Sequence, residues 1–188
     1  MAERSEFQLK SNIMDETAMN RAMMRIAHEI VEKNHGLSDV CLVGIHRRGV
    51  PLALQLRGDL LAAEPGSSPV PIGAVDISFY RDDLTEQSEL PELNGTDIPF
   101  DVNGKNIVLV DDVLYTGRTV RAAIEGIFAL GRPAKVQLAV LVDRGHRELP
   151  IKADFVGKNI PTSRDELVSV NIPEFDNEKS VTLLQRFK

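Results

Sequence analysis

Asn106-Ile-Val-Leu-Val-Asp-Asp-Val-Leu-Tyr-Thr-Gly-Arg-Thr-Val-Arg121 decides the fold, because an apolar run halts there at two carboxylates and a small, hydroxylic turn follows. Ile107, Val108, Leu109 and Val110 are aliphatics without polar alternation, the pattern of a strand covered on both faces in a parallel sheet. Asp111 and Asp112 then fall at the carboxyl end of that strand, where open α/β sheets receive their ligands. Thr116-Gly117-Arg118-Thr119 lets backbone N–H groups converge at the start of a helix, and such a start is an anion site. From Val120 onward Ala123, Ile124, Ile127 and Phe128 keep helical spacing, and Gly131 with Pro133 supplies the stop. Lys135 to Val142 is a second uninterrupted apolar strand, so the unit reads as βαβ with a right-handed crossover.

Carboxylates beside a phosphate cradle suit a sugar phosphate, which offers hydroxyl donors to the acids and an anion to the amides. A ribose 5-phosphate satisfies both halves. Acidic pairs also follow strands in receiver domains and acid-based phosphatases, but neither sets Thr-Gly-Arg-Thr directly behind them. No glycine-rich run ending in Gly-Lys-Ser/Thr occurs, so a nucleotide-triphosphate loop of that type is excluded.

The 188 residues suffice for one domain with a full core. A net charge of −6 argues against non-specific coating of nucleic acid while leaving room for a local basic face. The single cysteine, Cys41, lies in the apolar run Val40 to Val43 and reads as a core residue. One cysteine forms no internal disulfide, which fits a cytoplasmic location. The first residues are polar, without an apolar run of signal-peptide or membrane length, so no membrane partner is expected.

Upstream, Asp15 is a good N-cap, and Met19, Ala22, Met23, Ile26, Ala27, Ile30 and Val31 repeat with helical spacing. Arg21, Arg25 and His28 share the other face around Met24, the pattern of a solvated face. Val40 to Ile45 reads as a short buried strand. His46-Arg47-Arg48-Gly49 follows it, ahead of a helix with Pro51 in its first turn. Two arginine forks and a glycine at a strand end point to an anion loop. Pro69 to Tyr80 reads as a strand and Thr85 to Pro99 as a long irregular insertion of the kind that works as a lid. Asn103-Gly104 is a turn signal. After Val142, Asp143 to Ile151 is a charged loop, and loops ending adjacent parallel strands converge, so Arg144 is expected at the same pocket. Glu166 to Ile172 and Ser180 to Leu184 read as closing antiparallel strands.

The stretch from Ile107 to Thr119 resembles the phosphoribosyl-diphosphate (PRPP) motif of type I phosphoribosyltransferases: aliphatics, two acids, a short spacer, then Thr-Gly-x-Thr. The resemblance implies the type I phosphoribosyltransferase fold, an α/β architecture with a mostly parallel central sheet flanked by helices, a small hood and a flexible lid loop. One domain would span 1–188, with an N-terminal extension at 1–14, the flexible loop at 81–100, and the hood and C-terminal strands at 153–188. By this resemblance Asp111 and Asp112 hold the ribose 2′ and 3′ hydroxyls. Val108, Leu109, Val110, Val113 and Leu114 complete the motif, and Tyr115, Thr116, Gly117, Arg118 and Thr119 wrap the 5′-phosphate. Arg47, Arg48 and Gly49 take the place of the pyrophosphate loop, and Tyr80 and Arg81 stand at the base of the lid. Asp111, Asp112 and Arg48 are the expected catalytic residues. Mg²⁺ is the expected cofactor, carried by PRPP and touched directly, if at all, by Asp111 and Asp112. The segment Ala153 to Thr162 resembles the hood of six-oxo base transferases. Phe155 would stack on the base, the Val156 backbone would pair with its edge and Lys158 would bond its exocyclic oxygen.

Arg-Ile-Ala-His-Glu at 25–29, Tyr-Arg-Asp-Asp-Leu at 80–84, the motif at 110–121, Leu-Val-Asp-Arg-Gly-His-Arg-Glu-Leu-Pro-Ile at 141–151 and Gly-Lys-Asn-Ile-Pro-Thr-Ser at 157–163 narrow the match. Together they resemble the bacterial pyrimidine operon attenuation regulators that are also uracil phosphoribosyltransferases. This implies uracil and PRPP as substrates, uridine mono- and triphosphate as ligands, and a leader mRNA hairpin of pyrimidine genes as partner, with transcription attenuation as the outcome. A homodimer or homotetramer is implied as well. Arg25, His28, Arg147, Lys152 and Lys158 are the RNA-face residues carried over, whereas Met24 departs from a frequent threonine and offers RNA no hydroxyl. The alternatives are a transferase without RNA binding, or one acting on a purine or on orotate.

Overall fold

The computed structural model describes residues 7–77 and 96–187. In chain order these form β1 (Phe7–Met14), α1 (Glu16–Asn34), β2 (Val40–Ile45), α2 (Gly49–Ala63), β3 (Ile72–Val75), β4 (Asn106–Leu114), α3 (Arg118–Leu130), β5 (Lys135–Asp143), β6 (Phe155–Asn159), β7 (Glu166–Asn171), α4 (Pro173–Asp176) and β8 (Ser180–Arg186). Five strands pair in the order β3-β2-β4-β5-β6, all parallel, and β1-β8-β7 form a separate antiparallel hood.

The unbroken apolar runs of β2, β4 and β5 are covered on both faces, and the period of two divides them. Leu42, Val108, Val110, Ala139 and Leu141 pack with α1, α2 and the inner hood residues Val168, Val170, Val181 and Leu183. Cys41, Val43, Ile107, Leu109, Leu138 and Val140 pack with Val120, Ala123 and Ile127 of α3. Burial pushes the Cys41 thiol up from its ordinary range, as an apolar core position does. The Asp15 carboxylate accepts from the Ala18 amide at 2.7 Å, capping α1 as its sequence predicts. The Asn103-Gly104 turn also forms, with Gly104 at φ +69°. No helix among the described residues is long and apolar enough to cross a membrane.

Four differences from the sequence expectations have physical causes. First, β4 does not end at Val110: pairing with β5 continues through Asp111↔Val140, Val113↔Val142 and Leu114↔Asp143, so the acids sit inside a hydrogen-bonded ladder. Second, the strand expected from Pro69 to Tyr80 is realised, within the described residues, only over Ile72–Val75. Pro69 and Pro71 have no N–H to give a ladder, and the Pro71 carbonyl instead accepts from Leu42 at 2.9 Å. Third, Phe155–Asn159 is not hood but the fifth strand of the main sheet, paired with β5 from Ala139↔Phe155 to Asp143↔Asn159. Fourth, the N-terminal extension carries β1, which pairs with β8 despite a poorly alternating sequence. The hood strands expected from Glu166 and Ser180 form as β7 and β8.

Candidate active site

Asp111 is buried, 7% exposed, and Asp112 is half-buried. Each carboxylate folds onto the backbone just after it: Asp111 Oδ1 accepts from the Asp112 amide at 2.9 Å and Asp112 Oδ1 from the Val113 amide at 2.8 Å. Burial, with the neighbouring Asp112 charge second, raises the Asp111 carboxyl well above the usual range. Burial also raises Asp112, opposed by hydrogen bonds and by the positive field of Arg48. A cation or hydroxyl donors placed beside two such acids would favour their charged forms.

The pyrophosphate-loop candidate joins them at the adjacent strand end. His46 and Arg47, linked by a cis peptide bond, are exposed, Arg48 is half-buried and Gly49 opens α2. Gly49 packs directly on the backbone of Val110 and Asp111, which couples the loop to the acidic pair. Arg48 Nη2 donates to both carboxylate oxygens of Asp176, at 3.1 and 2.9 Å, and the Phe175 ring lies 5.2 Å from Arg47 Cζ and 5.8 Å from Arg48 Cζ. Sequence reading passed over Phe175 and Asp176, because a single helical turn between two strands carries no periodic signal.

The loop expected to hold phosphate, the candidate phosphate loop, turns at Gly117, whose φ of +93° opens α3 with a conformation that side-chain-bearing residues avoid. Beneath it lies the loop from Asp143 to Ile151. The Thr116 carbonyl accepts from the amides of Glu148 at 3.0 Å and Leu149 at 3.2 Å. Arg118 Nε donates to Glu148 Oε2 at 2.7 Å. Arg147 Nη1 donates to the Tyr115 carbonyl at 2.8 Å, its Nε to the Ile151 carbonyl at 2.9 Å, and its Nη2 to Asp143. The Leu114 carbonyl accepts from the Arg144 amide at 3.1 Å. The charged loop read from sequence is thus the bed on which the phosphate loop rests.

Arg144 comes to the site in a different role from the one expected. It is 5% exposed, with its Cζ 4.1 Å from the Tyr115 ring centroid. Its Nη2 donates to the carbonyls of Ser163 at 3.1 Å and Glu166 at 2.8 Å, and its Nε to Thr162 Oγ1 at 3.2 Å. Arg144 ties the phosphate loop to the hood. Burial lowers its guanidinium, while the fields of Tyr115 and Glu166 work the other way.

The hood mapping from Ala153 to Thr162 is corrected. Phe155 is 2% exposed, packed in the core beside α1 and two strands across the sheet from β4, so its ring is not free to stack on a base. Val156 and Gly157 use their carbonyls to accept from Arg25 Nη2 at 3.1 and 2.6 Å, and Lys158 reaches the Ile13 carbonyl at 3.2 Å. The segment that does reach the phosphate loop is Thr162 to Glu166, and the buried arginine needing acceptors was the sequence signal for it. Tyr80 and Arg81 lie outside the described residues, as does the loop expected at 81–100 up to residue 95, while its described end is pinned to β3, where Ala74 and Asp97 exchange backbone hydrogen bonds at 2.7 and 2.9 Å. Of the RNA-face candidates, His28, Lys152 and Lys158 are exposed, Arg25 is held by Glu29 at 2.8 Å as well as by β6, and Arg147 is folded into the phosphate-loop bed.

Residues 10–172 match the phosphoribosyl transferase domain model. The chain is 58% identical over 173 residues to the bifunctional protein PyrR of Caldicellulosiruptor bescii, covering 92% of this chain and 94% of that one. It is 57% identical over 177 residues to the bifunctional protein PyrR of Thermus thermophilus, covering 94% and 97%. A mutant hypoxanthine phosphoribosyltransferase from Trypanosoma cruzi, solved as a ternary substrates complex, superposes with a TM-score of 0.73 at 21% identity, covering 94% of this chain and 96% of that one. That last likeness speaks for the fold alone.

Proposed function

The chain belongs to the phosphoribosyltransferase family, among its bifunctional PyrR proteins, and from that premise we propose that it transfers phosphoribose from PRPP to uracil and regulates pyrimidine genes through leader RNA. The carrying observation is the acidic pair of β4, Asp111 buried and Asp112 half-buried, set beside both an arginine loop and a glycine-initiated helix start. In the reaction uracil N1 forms a bond to ribose C1 as the C1–oxygen bond to diphosphate breaks, N1 gives up its proton, and uridine monophosphate and diphosphate result.

Asp111 and Asp112 accept hydrogen bonds from the ribose 2′ and 3′ hydroxyls and favour the positive charge that grows on the ring, as in glycoside chemistry. The amides from Tyr115 to Thr119 hold the 5′-phosphate at the start of α3. Arg47 and Arg48 meet the departing diphosphate. Positioning and preorganised charge therefore carry the acceleration, without a covalent nucleophile. Mg²⁺ is the cofactor in this reading, a hard cation carried chiefly by substrate oxygens and water, and Asp111 and Asp112 are the carboxylates that would touch it directly. When bound, that ion neutralises charge on the leaving diphosphate.

The regulatory half of the reading rests on the exposed His28, Lys152 and Lys158, with uridine mono- and triphosphate expected to strengthen RNA binding and a homodimer or homotetramer to present the RNA surface. Pyrophosphate release from PRPP is measured with a panel of free bases: uracil should support turnover, whereas release with hypoxanthine, guanine or orotate alone would replace this substrate reading. Titration of a labelled pyrimidine-leader hairpin with and without uridine monophosphate tests the second activity.

A further inference from the structure

The short turn α4 is fastened to the pyrophosphate loop more tightly than a connection between two hood strands requires. Asp176 Oδ2 accepts from the Ile172 amide at 3.1 Å, closing the turn on itself, and the same carboxylate accepts from Arg48 Nη2. The Phe175 side chain, 45% exposed, spends its ring face on the guanidinium groups of Arg47 and Arg48. Arg48 Nε is buried and has no hydrogen-bond partner among the described residues. A carboxylate at this position is costly to an enzyme that must collect diphosphate, because like charges repel. Its presence is explained if it orients an arginine instead of touching substrate.

We propose that Asp176 is a positioning residue for phosphoribosyl transfer. It fixes the Arg48 guanidinium between the hood and Asp112, while Phe175 serves as the platform that keeps both loop arginines over the leaving-group side. The inference rests on the transferase reading above. An arginine held by one terminal nitrogen keeps its remaining donors for the diphosphate, with little rotamer freedom left to lose on binding. Asp176 then acts on the bond-breaking step through Arg48, and PRPP affinity depends on it only weakly because the carboxylate repels the same ligand.

The test is a double-mutant cycle on the full chain, read by uracil-dependent pyrophosphate release. Asp176→Asn keeps an oxygen for the Ile172 amide and is expected to lower kcat about ten- to hundredfold, the scale on which small misplacements act, with KM for PRPP changed less than about threefold. In an Arg48→Met background the same substitution should lower kcat by less than about twofold, since its target is gone. Asp176→Glu should restore part of the loss. Phe175→Leu, which removes only an exposed ring face, should lower kcat about two- to fivefold with an unchanged thermal midpoint, so the platform remains testable if Asp176→Asn folds poorly. Equal losses with and without Arg48→Met, or wild-type kcat in both Asp176→Asn and Phe175→Leu, would overturn the proposal. Lack of turnover in the wild-type chain would count against the transferase reading instead.

Discussion

Gly49 stands so close to β4 that a Cβ placed on it would lie 2.3 Å from the carbonyl oxygen of Val110. The contact is backbone to backbone, so no rotamer change relieves it. Gly49→Ala must push the arginine loop away from the acidic pair. The expected result is a loss of about 1–3 kcal/mol in stability, the usual cost of overpacking, with a larger fractional loss of turnover. Denaturant unfolding and pyrophosphate release on one preparation measure both, and a Gly49→Ala protein with wild-type turnover would uncouple loop from strand.

Asp111 gives a pH signature. Its folded-state pKa is raised, so the folded chain holds that proton more tightly than the unfolded chain. The stability this lends is fully present below the unfolded carboxylate value of about 3.9 and is lost as pH rises through the folded value. Asp111→Asn removes the charge and with it the penalty at neutral pH. Its thermal midpoint should exceed wild type at pH 7 to 8, by about 2–4 °C for each kcal/mol recovered, and the gap should close toward pH 4. Activity should fall at the same time. A midpoint difference independent of pH would show that the acid is not held above its ordinary range.

Arg144 is expected to matter more to the fold than to base affinity. Removing it strands the carbonyls of Ser163 and Glu166, at about 1–3 kcal/mol for a buried polar group left unpaired. Arg144→Lys should fail to rescue, because an ammonium lacks the planar fork that meets three acceptors. Thermal melts of Arg144→Ala and Arg144→Lys check this, with a wild-type midpoint in the lysine variant as the contrary result.

RNA binding should separate the basic residues into two groups. Lys152→Ala should weaken hairpin binding and reduce the slope of log affinity against log salt by about one, with no change in thermal midpoint. Arg147→Ala should lower the midpoint too, because its guanidinium holds the Tyr115 and Ile151 carbonyls. Equal midpoints in the two variants, measured alongside filter binding across a salt series, would mean that Arg147 is free for RNA after all.

Legibility in the sequence followed the range of the interaction. The β4-turn-α3 unit and α1 could be read because their signals are local: unbroken aliphatics, an N-cap at Asp15, and a glycine at 117 that adopts a positive φ. The arginine loop could be read for the same reason. What failed depended on partners remote in sequence. β1 exists because β8 lies beside it, Phe155 is core because β6 joins the main sheet, and Arg144 is a strut because Thr162 to Glu166 meet it. Val156 and Lys158 failed as base contacts with Phe155, since one wrong sheet membership misplaces a whole segment.

Asp112→Asn tests the account most directly, because it removes a charge at the sugar site without changing volume. With circular dichroism unchanged, uracil-dependent pyrophosphate release should fall by about a hundredfold or more, the scale seen when one preorganised electrostatic group is lost. Wild-type turnover in the folded Asp112→Asn protein would contradict the claim that the paired acids of β4 hold the ribose during transfer.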